Sequence, residues 1–187
     1  MQMPPVIDEF VAACRTVVAE GGDVRPRLAK LVADLVDDHE ALAAAVPAFA
    51  DAPTSARGWQ LGGEHICHQA EDLTVMVLDT LPGVAQPPHD HAMTAIIGVF
   101  EGCEDQRFWG RTDTGIEPAA DRALAAGESI TIGERGIHAI SATDGPARAV
   151  HVYLGDIYAV DRSIFDPETL AEHPMTDDRY DEFCRSL

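Results

Sequence analysis

The stretch that decides the fold runs Pro87-Pro88-His89-Asp90-His91-Ala92-Met93-Thr94-Ala95-Ile96-Ile97-Gly98-Val99-Phe100-Glu101-Gly102. Its first half holds two histidines one residue apart. On a β-strand side chains alternate between faces, so His89 and His91 point one way and Asp90 the other. Two imidazoles about 7 Å apart along one face, two residues at ~3.3 Å each, can share an ion. The pair alone is weak evidence, since two polar loop histidines would look the same. The second half, Thr94–Phe100, is apolar and rich in β-branched residues, as a strand is. Cys103–Trp109 reads as another strand, and Glu101-Gly102 between them reads as a hairpin turn.

Further strands are expected on either side of this stretch. Leu73–Thr80 precedes it, closed by Pro82-Gly83. Ala119–Leu124, Ser129–Ile132, Ile137–Ala142 and Ala147–Leu154 follow it, with Asp144-Gly145 turning between the last two. Many short strands punctuated by turn residues point to a sandwich or barrel. The first third is different in texture. Ile7, Phe10, Val11, Cys14, Val17 and Val18 recur at helical spacing over Val6–Ala19, behind Pro4-Pro5. Leu28, Leu31, Val32 and Leu35 predict a second helix over Pro26–Leu35. A short third helix is expected over Glu40–Val46, capped by Asp37 or Asp38. Pro47 to Pro53 reads as a linker. The organisation expected is a helical segment over residues 1–57 packed on a barrel of residues 58–160, with residues 161–187 as a wrapping tail that includes a short helix.

Composition bounds the function. The 187 residues carry 13 Lys and Arg against 32 Asp and Glu, a formal net charge of −19. Such a surface repels phosphate backbones and anionic lipid, which argues against nucleic-acid and membrane partners. No apolar run approaches the ~18 residues of a membrane span. The start of the chain lacks the features of a signal peptide, so a cytoplasmic location is expected. Cys14, Cys67, Cys103 and Cys184 show no CxxC spacing and are expected to be free thiols. The sequence leaves the oligomeric state open.

Spacing around the histidines adds specificity. Gly83 stands six residues before His89, and Gly102 eleven after His91; farther on, His138 stands eleven residues after Gly127. These separations resemble the two signature motifs of the cupin superfamily. The resemblance implies a mainly β fold, a double-stranded β-helix or jelly-roll barrel with a small N-terminal α-helical region. It also implies one metal ion held by His89, His91 and His138. Ala95 stands where most cupins have a glutamate ligand, and Gly133 where they usually have a proline. Carboxylates elsewhere, such as Glu101 and Glu128, could in principle reach in, but neither occupies the signature position. An all-histidine set leaves a divalent ion its full charge, which suits an anionic chelating substrate. Fe²⁺ is the first expectation for the cofactor; Zn²⁺ and Ni²⁺ also accept such a ligand set.

Within that superfamily the chain is similar to thiol dioxygenases of the cysteine dioxygenase type. It is closer still to a bacterial branch described as predicted metal-dependent enzymes of the double-stranded β-helix superfamily. Gly136-Ile137-His138-Ala139-Ile140, His151-Val152-Tyr153-Leu154-Gly155-Asp156 and Arg162-Ser163-Ile164-Phe165-Asp166-Pro167-Glu168-Thr169-Leu170 extend the likeness. The resemblance implies an iron(II) enzyme that oxidises a small thiol to its sulfinate with O₂. Tyr153 and His151 would be the last two members of a Ser-x-His-x-Tyr relay whose serine is here Ala149. Ile96 stands where some members have a cysteine cross-linked to that tyrosine. For the substrate anchor, the strand region Glu64–His68 contains no arginine. His65 is the candidate there, with Arg107 and Arg135 as alternatives, and the missing arginine together with the altered relay at Ala149 argues against free cysteine as the best substrate. A metal-binding cupin without redox chemistry, serving as a sensor or binding module, stays open, as does a Zn or Ni hydrolase or isomerase.

Overall fold

The computed structural model describes residues 3–48, 53–113 and 115–187. Three helices come first: α1 (Pro5–Glu20), α2 (Val24–Asp37) and α3 (His39–Ala45). Ile7, Phe10, Cys14 and Val17 of α1 and Leu28, Val32 and Val36 of α2 are buried at helical spacing. The Asp38 carboxylate caps α3 by accepting from the Ala41 N–H. The linker expected from Pro47 to Pro53 falls largely on residues 49–52, outside the described residues. No helix among the described residues is long and apolar enough to cross a membrane.

The strands follow. In chain order they are β1 (Glu64–Ala70), β2 (Leu73–Thr80), β3 (Val84–Ala85), β4 (His89–Asp90), β5 (Ala95–Glu101), β6 (Cys103–Thr112) and β7 (Gly115–Ala125). After these come β8 (Ser129–Ile132), β9 (Ile137–Ser141), β10 (Ala147–Tyr153), β11 (Ser163–Phe165), β12 (Glu172–Pro174), helix α4 (Asp177–Phe183) and β13 (Arg185–Ser186). One sheet has the order β1-β2-β10-β5-β8 and faces a second of order β12-β11-β4-β9-β6-β7, while β13 pairs with β3 at the side.

The five-stranded sheet is covered on both faces, which explains why its central strands are apolar almost throughout. Val75, Val77, Ile96, Phe100, Val150 and Val152 pack against α1–α3. The alternate residues Met76, Ala95, Ile97, Val99, Ala149 and Tyr153 face the barrel interior. Gly98 lets α2 approach closely, because a Cβ there would stand 2.6 Å from Val32 Cγ1.

Glu101-Gly102 does not make the expected hairpin. β5 bonds to β10 and β8, whereas β6 bonds to β7 and β9, so Gly102 is a corner where the chain changes sheets. Its φ is +70°, and a side chain would collide with the Pro146 carbonyl at 2.2 Å. The true hairpin joins β6 to β7, a strand longer than expected, with a register shift at Phe108/Trp109 opposite Pro118. That shift sits next to the residue that lacks an N–H to donate. The tail of residues 161–187 is more than a wrapping: β11 joins the six-stranded sheet by pairing with β4.

Candidate metal centre

β4 is only two residues long, yet it is held on both sides. His89 pairs with His138 of β9 and with Ile164 of β11. Asp90 turns outward, accepting from the Arg111 guanidinium and from the Ser163 N–H at 2.9 Å. Ala92 takes a left-handed φ of +52° and redirects the chain into β5. His91 is thereby left beside His89 and His138, inside the barrel.

A ring nitrogen from each of His89, His91 and His138 lies within 4.8 Å of the others, and all three residues are buried. Three points that close share a centre no more than about 2.8 Å from each, near the ~2.0–2.1 Å of a metal–nitrogen bond. No Asp or Glu joins the group among the described residues. Ala95 is fully buried in the apolar lining. Glu101 pairs with Arg148, and Glu128 accepts from the Ala125 N–H, so neither reaches in.

The hydrogen bonds fit the group for a cation. His89 Nδ1 lies 3.0 Å from the Pro87 carbonyl, which only accepts, so the proton is on Nδ1 and Nε2 keeps its lone pair. His138 Nδ1 donates to Gln106 Oε1 at 2.7 Å, with the same consequence. His138 Nε2 then lies 3.3 Å from His91 Nε2. His91 Nδ1 is buried without a partner. Without a cation, His91 satisfies the contact between the two Nε2 atoms by donating from its own to the His138 lone pair; a cation among the three rings would instead take a lone pair from each. Burial, reinforced by the neighbouring histidines, holds His91 and His138 well below the usual imidazole range. Burial likewise takes His89 down to about 4, against the opposing effect of the Pro87 carbonyl. All three are therefore neutral at physiological pH, the form in which imidazole binds metal.

His151 and Tyr153 occupy alternate positions of β10 and both face inward. His151 Nδ1 is hydrogen-bonded to the Tyr153 hydroxyl at 2.9 Å, and the Tyr153 ring centroid is 5.1 Å from that of His91. Burial lowers His151 to about 3 and raises Tyr153 above its ordinary value, so both stay neutral. Ile96 faces the helices, on the opposite side of the sheet from Tyr153.

The cluster opens into a cavity of about 240 Å³ lined by Met76, Leu78, Ile157 and all three tyrosines of the chain, with Glu64 and Arg162. Arg162 forms no ion pair among the described residues. Its charge is felt by His89, His91, Tyr153, Tyr158 and Tyr180, whose proton affinities it lowers. The three substrate residues expected from sequence are elsewhere. Arg107 pairs with Asp121 at 3.0 Å beside a separate cavity on the outer side of β6 and β7. Arg135 is exposed in the turn before β9. His65 alternates with Glu64 on β1, and it is Glu64 that lines the cavity. Arg162, Glu64 and Tyr180 were missed. Arg162 did lie within the run that carries the family likeness, eight residues beyond Leu154, but nothing local gave it a role.

A scan of the sequence against family models and a search of curated proteins give no match. Solved structures do resemble it. A DMSP lyase, DddQ, from Ruegeria pomeroyi DSS-3 superposes over 88% of this chain and 98% of its own, with TM-score 0.52 and 16% identity. A cupin 2 conserved barrel domain protein from Leptotrichia buccalis matches 50% of this chain and 40% of its own, at TM-score 0.43 and 15% identity. Procruciferin, an 11S globulin from Brassica napus, matches 56% of this chain, which spans only 28% of the globulin's length, at TM-score 0.45 and 14% identity. At these identities the likeness speaks to architecture alone, and the architecture of this chain is the cupin fold.

Proposed function

We propose that the protein is an iron(II) thiol dioxygenase that converts a small anionic thiol to its sulfinate. The balance is RS⁻ + O₂ → RSO₂⁻: both oxygen atoms end on sulfur, and no external reductant is consumed. The observation that carries this reading is the hydrogen-bonded His151–Tyr153 pair beside a histidine cluster that no carboxylate joins among the described residues, in one cavity with Arg162, which forms no ion pair among those residues. His89, His91 and His138 would hold the iron, which supplies the place where thiolate and O₂ meet and exchange electrons.

The chain's own residues divide the remaining work. Arg162 binds the anionic end of the substrate. Met76, Leu78 and Ile157 exclude water and so strengthen that attraction. Tyr153 keeps its proton and donates a hydrogen bond to the reacting atoms, while His151 fixes the direction of its hydroxyl. Arg162 takes the anchoring role sought near His65, which leaves the altered relay at Ala149 as the argument against free cysteine.

The test is oxygen uptake by iron-loaded protein with cysteine, 3-mercaptopropionate, mercaptosuccinate and cysteamine. Thiols carrying a carboxylate should be oxidised well, and cysteamine, which has none, poorly. If none is oxidised at verified iron content, a metal-binding module without redox chemistry becomes the better reading. Tyr153→Phe should slow turnover by more than about tenfold, the ~1.5–3 kcal/mol of a hydrogen bond lost from a charged reacting group, with iron content unchanged. Turnover at the wild-type rate would reduce Tyr153 to packing. Arg162→Met should raise KM for the carboxylate thiols by about tenfold or more, the ~1.5–3 kcal/mol of a charged hydrogen bond. The same variant should leave cysteamine almost unaffected; equal losses on both substrates would argue against the anchor.

A further inference from the structure

Behind His138 runs a line of buried polar groups that the proposed reaction does not use. Glu104 and Gln106 alternate on β6 and both point inward; Thr80, Glu104, Gln106 and His138 are all at most 1% exposed. Thr80 Oγ1 donates to Glu104 Oε1 at 3.1 Å, and Gln106 Nε2 donates to Glu104 Oε2 at 2.9 Å. Gln106 Oε1 then accepts from His138 Nδ1 at 2.7 Å. Burying a carboxyl group with no cation beside it is costly, and an apolar residue would fill the same space at less expense.

The order of donors and acceptors gives the acid a purpose. An amide has one donating end and one accepting end. A carboxylate only accepts, so the NH₂ end of Gln106 must face Glu104 and its carbonyl must face His138. A carbonyl also only accepts, so the proton of His138 must sit on Nδ1. Were Glu104 to hold a proton directed at Thr80, its Oε2 would still accept and the order would stand. His89 needs no such device, because the Pro87 carbonyl does the same for it. Nothing in the backbone does so for His138.

We propose that Glu104 is a positioning residue which, through the amide of Gln106, locks His138 in the tautomer whose Nε2 lone pair faces His89 and His91. Its use rests on the metal-binding reading above, while the lock itself is present in the metal-free protein. Second-sphere partners of this kind typically change metal affinity by about 10–100-fold.

The test measures histidine tautomers by ¹⁵N–¹H NMR in the metal-free protein, and Zn²⁺ affinity by competition with a chromophoric chelator. Wild-type His138 should be protonated at Nδ1 alone. Glu104→Met frees the amide to turn over. A second tautomer should then appear, and Zn²⁺ affinity should fall by about 10–100-fold. The exchange Glu104→Gln with Gln106→Glu puts the carboxylate next to His138, with Gln at 104 donating to it. That double variant should recover the Nδ1–H tautomer and most of the affinity. A merely structural role predicts no such recovery, and thermal unfolding of each metal-free variant controls for folding. An Nε2–H tautomer in the wild type would overturn the proposal. So would full Zn²⁺ affinity with a single tautomer in Glu104→Met, or an exchange variant that recovers neither property. A wild type with the Nδ1–H tautomer and no Zn²⁺ binding would sink the metal reading and leave the lock in place.

Discussion

In His138→Ala protein, affinity for a divalent ion should fall by more than about a hundredfold, because losing even a supporting second-sphere contact costs about 10–100-fold and this residue would hold the ion directly. Zn²⁺ is a convenient probe, since it accepts three imidazoles and undergoes no redox change. Saturating Zn²⁺ should raise the melting temperature of the wild type, as any ligand specific to the folded state does. It should leave that of His138→Ala unmoved. The variant also strands the Gln106 carbonyl in the interior, at a cost of about 1–3 kcal/mol, so the metal-free proteins must be compared first. His68→Ala, on β1 and outside the cluster, is the control and should bind as the wild type does. Retention of affinity within a factor of ten in His138→Ala would mean that the three imidazoles are not the ligand set.

Acid should destabilise the metal-free protein steeply. In the unfolded chain an imidazole takes up a proton near pH 6.5. In the folded chain burial delays this to about 4 for His89 and about 3 for His151, and to well below 6.5 for His91 and His138. Between those limits the unfolded state binds more protons, so stability is full above about pH 6.5 and is lost as pH falls through the folded values. At 1.36 kcal/mol per unit, His89 forfeits roughly 3 kcal/mol and His151 roughly 5 by pH 3, set against a typical total of about 5–15. Glu104 acts in the opposite sense. Burial raises its carboxyl to about 7, so its folded form takes up a proton first and gains stability as pH falls from 7 to 4.5. One carboxyl does not outweigh four imidazoles. The urea midpoint should therefore be highest near pH 6.5–7 and fall sharply toward pH 5, and bound Zn²⁺ should shift the fall to lower pH by competing with protons. A midpoint unchanged from pH 7 to pH 5 would show that these histidines are not held neutral by the fold.

What could be read from the sequence follows from how local each feature is. Helical burial repeats over a few residues, so α1 and α2 were visible, although Val36 extends α2 past its expected end. The pairing of His89 with His91 is local too, a consequence of strand alternation; His138 needed the motif spacing as well. Glu104, Gln106 and Phe108 alternate with Asp105, Arg107 and Trp109, and the pattern alone does not tell which set faces inward. The Gly102 turn was misjudged because a tight hairpin and a change of sheet place the same demand on one glycine. Arg162 and Tyr180 were invisible as cavity residues for a different reason. Their positions depend on β11 and α4 folding back over strands laid down some seventy to ninety residues earlier.

That return has a practical side. Arg185-Ser186 of β13 pairs with Val84-Ala85 of β3, and the next residue, Gln86, takes the Tyr180 hydroxyl at the cavity wall. Asp181 fastens the same helix to the segment before the barrel, accepting from Ser55 and from the Arg57 N–H. An affinity handle or surface tether joined beyond Leu187 therefore pulls on the strand that frames the cavity. One joined before Met3 pulls on α1, which lies across the five-stranded sheet on the face turned away from the histidines. Immobilisation, fusion to a reporter and attachment of a label all belong at that helical end.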